Sequence, residues 1–268
     1  ITNLLINPSA ASIKDAILDL LTIGSAYIEF YREINVNYDS DSLQVRRHIL
    51  RINGRIYDET DNNDIKVYVA SRILLKIEDE EDNIIDIARD SILRRWILTI
   101  TEFKNQPEKE YNMCNKIIEV MSGVISNSEK CSDLFSWYLN FYLLNSNSHK
   151  QHQYNEIKDN LRILTNGLVQ MIIELQANEI NNEETKLEKQ RLLNLLSVFS
   201  DSIVPFISKD HIIGLYPYMV TDTRSNLYYH ILHTFRSSME KLSNFKPKFL
   251  FDLETTLLTA LPKMTVKE

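Results

Sequence analysis

Apolar residues return along this chain at i, i+3, i+4 and i+7, the period of a helix with one buried face. Polar and acidic clusters separate the runs. Read this way, Ser9 or Ser12 caps a helix running through Leu21, and Gly24 separates it from one over residues 26–36. Asp41 or Ser42 caps the next, to about Tyr57, and Asp64 caps residues 65–77. An acidic turn then leads into residues 83–97. Beyond a polar break containing Pro107, the pattern predicts helices over 111–125, 132–144, 154–176, 185–207, 209–219, 225–242 and 247–261. Pro205 ends or kinks the helix that contains it. Residues 145–153 (NSNSHKQHQ) and 178–184 are polar and predict surface loops.

The early helices repeat. Asn7-Pro8 precedes Ile13-Lys14-Asp15-Ala16, Asp39 and Asp41 precede Val45-Arg46-Arg47-His48, and Asp79 and Asp82 precede Ile85-Asp86-Ile87-Ala88. An acidic or Asn turn followed by an aliphatic residue that opens an apolar stripe thus recurs at roughly 30 to 40 residues, the period of HEAT-type helix pairs. A pair cannot bury its apolar face alone, so it stacks on its neighbours. The expected fold is an all-α solenoid, with Val45, Ile49, Ile52, Ile73, Leu74 and Ile85 among its core residues. No composition shift marks a boundary, which predicts one solenoid segment over 1–268. Its repeats would be regular to about residue 100, then longer and irregular over 108–268, giving a hooked path. The apolar start at Ile1 and the abrupt end at Glu268 read as a piece of a longer solenoid.

Composition narrows the class. Five Gly and six Pro leave little material for hairpin turns. Cys114 and Cys131 lie outside any CxxC or Cys/His cluster and read as reduced thiols of an intracellular protein. No apolar run approaches the ~20 residues of a membrane span, and no basic leader with a cleavage site opens the chain. A formal charge of −7 argues against a generally nucleic-acid-coated protein.

The distribution of charge says more than its sum. Between Ser42 and Tyr57 there is no acidic residue, yet Arg46, Arg47, His48, Arg51 and Arg55 all fall there. At 100° per residue Val45, Ile49, Ile52 and Ile56 form one stripe, while Arg47, Arg51 and Arg55 rise along the opposite side with His48 beside them. Like charges at this spacing repel by a few tenths of a kcal/mol, and a guanidinium donates two hydrogen bonds to a phosphate at once. Arg46, Arg47, His48, Arg51 and Arg55 are therefore the candidate site for a phosphate backbone. Lys14, Arg72 and Lys76, and Arg94 with Arg95, could extend it, although Glu78, Asp86 and Asp90 are near enough in sequence to pair with them.

Little else suggests chemistry. His149 and His152 have metal-like spacing but sit in a polar loop without an acidic or Cys partner. The clusters Phe135-Ser136-Trp137-Tyr138 and Tyr216-Pro217-Tyr218 read as helix packing. Gly-rich phosphate loops, GxSxG, HExxH and carboxylate pairs in apolar settings are missing. The chain is expected not to be an enzyme and to need no cofactor or metal.

At these residues the chain resembles a known family. V-R-R-H-I-L-R-I-N-G-R-I-Y, then S-R-I-L-L-K-I-E-D-E-E-D-N-I-I-D-I-A, closing in L-R-R-W-I, is similar to the large HEAT-repeat subunit of the cohesin loader, the Nipped-B/Mis4 family. N-P-S-A-A-S-I-K-D-A-I-L-D-L-L resembles the preceding repeat, and Asp133-Leu134-Phe135 and the L-Y-P-Y-M of 215–219 resemble later ones. Two positions depart from the family pattern. His48 interrupts a run of basic residues, so charge there becomes pH-dependent, and Asp86 stands where an Arg or Lys often follows the apolar residue. The resemblance implies a nuclear, chromatin-associated factor that engages the cohesin ATPase heads and kleisin, holds duplex DNA by its backbone and stimulates cohesin's ATP hydrolysis. It also implies a TPR-like loader partner that binds a segment absent from this sequence. Alternatives from other classes are a protein-only HEAT scaffold, of transport-receptor or phosphatase-scaffold type, and another cohesin or condensin HEAT regulator.

Overall fold

The computed structural model describes residues 11–23, 26–145, 147–177 and 183–202, together with Leu215. Among them all regular structure is helical, the all-α class expected from the turn-poor composition. The expected features at Asn7-Pro8, Ser9, Gly24 and Pro205, the helices over 209–219, 225–242 and 247–261, and the Tyr216-Pro217-Tyr218 cluster lie outside the described residues.

The elements are α1 (Ala11–Ile23), α2 (Tyr31–Ile34), α3 (Leu43–Glu59), α4 (Asn63–Leu75), α5 (Asp82–Ile92), α6 (Pro107–Asn127), α7 (Glu129–Trp137), α8 (Gln151–Ala177) and α9 (Glu183–Ser202). The chain divides into two compact units, Ile1–Tyr138 and Leu139–Glu268. In the first, α3 packs on α1, α4 and α5, while α4 also packs on α5, α6 and α7. In the second, α8 packs on α9, joining Ile157, Leu161, Leu164 and Leu168 to Leu192, Leu195, Leu196 and Phe199, all buried.

Local chemistry sets the ends of these helices. Ser42 caps α3, its Oγ accepting from the Val45 N–H at 3.5 Å. The cap of α4 is Asn62 rather than the expected Asp64: its Oδ1 accepts from Asp64 N at 2.9 Å and Ile65 N at 3.2 Å, serving two orphan donors at once. With Thr60 closing α3, the short connector between the two helices turns the chain back into an antiparallel pair. Pro107, read as part of a break, is instead the first residue of α6, where its missing N–H has no consequence. Ser128 caps α7 through Cys131 N.

The core matches the apolar stripe of α3, since Val45, Ile49, Ile52 and Ile56 are all at most 1% exposed. Ile73 and Leu74 are buried as well, each such side chain contributing ~1.5–3 kcal/mol. In the third repeat the register differs by one residue. Ile84, Ala88 and Ile92 face inward, while Ile85 is only half-buried. The helix expected over 26–36 is broken into a 3-10 turn at Ala26–Ile28, the short α2, and a second 3-10 turn at Asn35–Asn37. Its polar residues explain the break. Asn35 is buried and donates both to the Tyr31 carbonyl, 2.7 Å, and to Asn53 Oδ1 on α3, 2.9 Å. A side chain engaged in that pair fixes the local path in place of a continuous apolar stripe. Residues 93–97 follow α5 as a π-helical turn that carries Trp96 into the core against Phe135, rings edge-on at 5.3 Å.

Candidate nucleic-acid interface

The apolar stripe of α3 fixes where its opposite side goes. With Val45, Ile49 and Ile52 anchored inward, Arg47, Arg51 and Arg55 succeed one another by a turn and line a cavity of about 750 Å³ with His48, Gln44, Asp15 and Asp19. The cavity lies between α3 and α1, so the sequence-predicted ridge is one wall of a groove. Arg51 is exposed and has no hydrogen-bond or ion-pair partner among the described residues. Arg47 Nε is buried without a hydrogen-bond partner. Arg55 lies over the Tyr27 ring at 4.8 Å, donates to the Tyr27 hydroxyl at 3.2 Å and pairs with Glu59 at 3.5 Å. The Tyr27 hydroxyl in turn donates to Glu59.

His48 is held from two sides. Its Nδ1 lies 2.9 Å from Asp15 Oδ1 and its Nε2 lies 3.5 Å from Asp19 Oδ1. Both nitrogens can donate at once only when the ring is protonated. These three side chains are close enough to suggest a cation site. Three guanidinium groups line the same cavity, and both ring nitrogens already face carboxylates. The trio is a polar bridge between α1 and α3, and we assign no metal to it. Of His149 and His152, weighed together for metal, His149 has its Nε2 3.0 Å from the Tyr142 carbonyl and stacks edge-on against the Tyr142 ring.

Arg46, Arg72 and Lys76 do not join this groove. They line a separate cavity of about 470 Å³ with Asp39, Glu78 and Asp79. There Arg46 donates to the Ser40 carbonyl at 2.8 Å and pairs with Asp79 at 3.2 Å. Lys76, buried at its own helix end, pairs with Asp39 at 2.8 Å and Asp79 at 2.9 Å and lies 4.2 Å from the Tyr38 ring centre. Arg72 stands between the Tyr38 and Tyr68 rings. Burial raises the Asp79 carboxyl, but the Lys76 hydrogen bond, the Glu81 N–H and the Arg46 charge outweigh it and hold the carboxyl below its ordinary value. Here the basic residues tie the acidic turn to the helices.

The remaining basic candidates also have partners. Lys14 donates to Asn37 Oδ1 at 2.6 Å, Arg94 pairs with Asp90 at 2.9 Å, and Arg95 grips Asp58 with two bonds of 2.9 and 2.7 Å. The sequence reading missed Asp15 and Asp19 as groove residues. Their spacing of four on α1 puts them on one face, but only the packing of α1 on α3 brings that face to His48.

Helix pairs stacked on one another within the first unit, one of them carrying a row of arginines along a groove, define an α-solenoid segment of HEAT type. No protein-family model matches the chain. It is 55% identical over 263 residues to Sister chromatid cohesion protein 2 of Saccharomyces cerevisiae, covering 98% of this chain and 18% of that protein. It is 23% identical over 282 residues to Sister chromatid cohesion protein mis4 of Schizosaccharomyces pombe, covering 96% and 17% respectively. Its fold is similar to that of the Chaetomium thermophilum cohesin loader SCC2, C-terminal fragment, with a TM-score of 0.76 at 17% identity over 99% of this chain and 19% of the other. The chain belongs to the cohesin-loader family of these sister chromatid cohesion proteins and spans less than a fifth of their length.

Proposed function

We propose that this chain is the segment of a cohesin loader that receives the backbone of duplex DNA in the groove of Arg47, Arg51 and Arg55, and so helps the loader place cohesin on chromosomes. In this reading it is not itself catalytic; it acts in the nucleus, on chromatin, by supporting ATP hydrolysis at the heads of a bound cohesin. The observation that carries the reading is the groove itself. Three guanidinium groups one turn apart line one open space, and Arg51 is exposed there with no partner among the described residues. Family membership supplies the setting, since the relatives are named for sister chromatid cohesion.

Phosphate contacts position a protein without reading bases, so binding would be indifferent to sequence. Each phosphate neutralised contributes about −0.9 to the slope of log affinity against log salt. Replacing Arg47, Arg51 and Arg55 together with Glu should flatten the slope by roughly two to three units and weaken DNA-stimulated ATP hydrolysis by cohesin. Folding should survive, because these side chains oppose the buried stripe. A folded triple variant with an unchanged slope would leave the groove a solvated face and favour a protein-only scaffold. Arg46, Arg72 and Lys76 provide the contrast. Their substitution should reduce stability before it reduces DNA affinity, because Arg46 and Lys76 are tied to Asp39 and Asp79 and Arg72 stands between the Tyr38 and Tyr68 rings.

A further inference from the structure

Two residues lining the Arg47–Arg51–Arg55 groove carry the wrong charge for an anionic ligand. Asp15 and Asp19 stand one turn apart on α1 and face the cationic wall across the cavity. We infer that they are a built-in counter-anion: they occupy the place a phosphate backbone would take beside His48, and ligand entry displaces Asp19. The inference rests on the groove being the backbone site proposed above.

The two aspartates are held differently. Asp15 uses both oxygens, Oδ2 accepting from Gln44 Nε2 at 2.6 Å and Oδ1 lying 2.9 Å from His48 Nδ1. Its side chain is 17% exposed, as is that of His48. Asp15 therefore fixes α1 against α3. Asp19 is 68% exposed and reaches the other ring nitrogen at 3.5 Å, a longer contact than that of Asp15. The charged and titratable groups facing His48 among the described residues are Asp15 and Asp19 from α1 and Arg47, Arg51 and Arg55 from its own helix. No charged residue of α4 or α5 lines this cavity.

The charge balance shows why the pair matters. Three guanidinium groups against two carboxylates leave the groove walls at +1 with His48 neutral, and at +2 with it protonated. Swinging Asp19 out, or neutralising it, raises the net charge by one unit in either state. An approaching phosphate then meets an imidazole freed from Asp19 and one fewer repelling carboxylate. In this device the fold sets groove affinity below what its arginines alone would give.

The test is fluorescence anisotropy of a labelled short DNA duplex with the purified chain, comparing wild type, Asp19→Asn, the Asp15→Asn/Asp19→Asn pair and the Arg47/Arg51/Arg55→Glu triple variant, with circular dichroism of each. Asp19→Asn, at the exposed position, should keep the fold and bind the duplex about two- to fivefold more tightly at fixed salt. The double variant should gain more, with a steeper salt slope by about one unit. Unchanged or weaker binding by folded Asp19→Asn, while the arginine triple variant loses affinity, overturns the inference and leaves the backbone site standing. The bridge would then only pin α1 to α3. If the triple variant binds as well as wild type, the groove reading itself fails and this inference fails with it.

Discussion

Asn35 and Asn53 show how one polar pair decides a local path. Each donates its amide to the other's Oδ1 at 2.9 Å, with Asn53 wholly buried. Asn53→Leu would strand one buried donor and one buried acceptor on Asn35, at a cost of about 1–3 kcal/mol, while replacing both with Leu should cost less than the sum of the singles. Urea denaturation of the four-member cycle measures this, and additive losses would mean that the pair is not coupled. Asp79 gives a second test. Its folded-state carboxyl lies below the ordinary value near 3.9, so its charged form contributes stability that is present above that value and is lost as pH falls through the lower folded one. Asp79→Asn should therefore be less stable than wild type at neutral pH, with the gap closing in acid. A pH-independent gap would place the loss in packing instead. The arginine ridge was legible in the sequence because its geometry is local to one helix. The fate of Arg46 and Lys76 was not, since it depends on a turn more than 30 residues from Arg46 folding back against it, and the roles of Asp15 and Asp19 depend likewise on contacts between separate helices.

At the scale of elements, two glycines set how near helices approach, and neither carries a sequence signal beyond interrupting a stripe. A Cβ on Gly123 of α6 would stand 2.7 Å from Val67 Cγ2 on α4, and 3.7 Å from Val67 Cβ. Val67 is branched at Cβ and has few rotamers into which to retreat. Gly123→Ala should thus destabilise by about 1–3 kcal/mol through overpacking, against a helix-propensity gain of about 1 kcal/mol. A Cβ on Gly54 would stand 2.7 Å from Arg95 Nη2, the tip of a long side chain that can move aside. Gly54→Ala should therefore be nearly neutral, its propensity gain offset by disturbance of the Arg95–Asp58 pair. Thermal unfolding of both variants checks the contrast, and equal losses would show that the tip of Arg95 is as rigid as Val67. The repeat pattern and the α3 stripe were legible because a helical period is written in adjacent turns. The one-residue register change that buries Ile84 rather than Ile85 was not, because both fit the same period and only packing on α3 and α4 chooses between them.

Over the whole molecule, a cationic groove sits on a chain with formal charge −7. These two facts act over different distances. The groove acts at contact, where phosphate meets guanidinium. The net charge acts over the screening length, which is about 8 Å at physiological ionic strength and about 30 Å at 0.01 M. At moderate salt an approaching duplex feels mainly the groove, and log affinity should fall linearly with log salt as counterions are released. At low salt the field of the acidic residues elsewhere on the chain reaches the duplex as well and opposes approach. The plot for this chain should therefore bend, its slope flattening toward low salt, and the loss should appear mainly in the association rate, which long-range fields control. Stopped-flow association with duplex DNA across that salt range would measure it. Asp-to-Asn changes in the exposed run at Asp58, Asp61 and Asp64, which lies outside the groove lining, should restore the low-salt rate without altering the slope at moderate salt. A straight plot down to the lowest salt, with association still accelerating, would mean that the acidic residues stand too far from the path of the DNA to be felt.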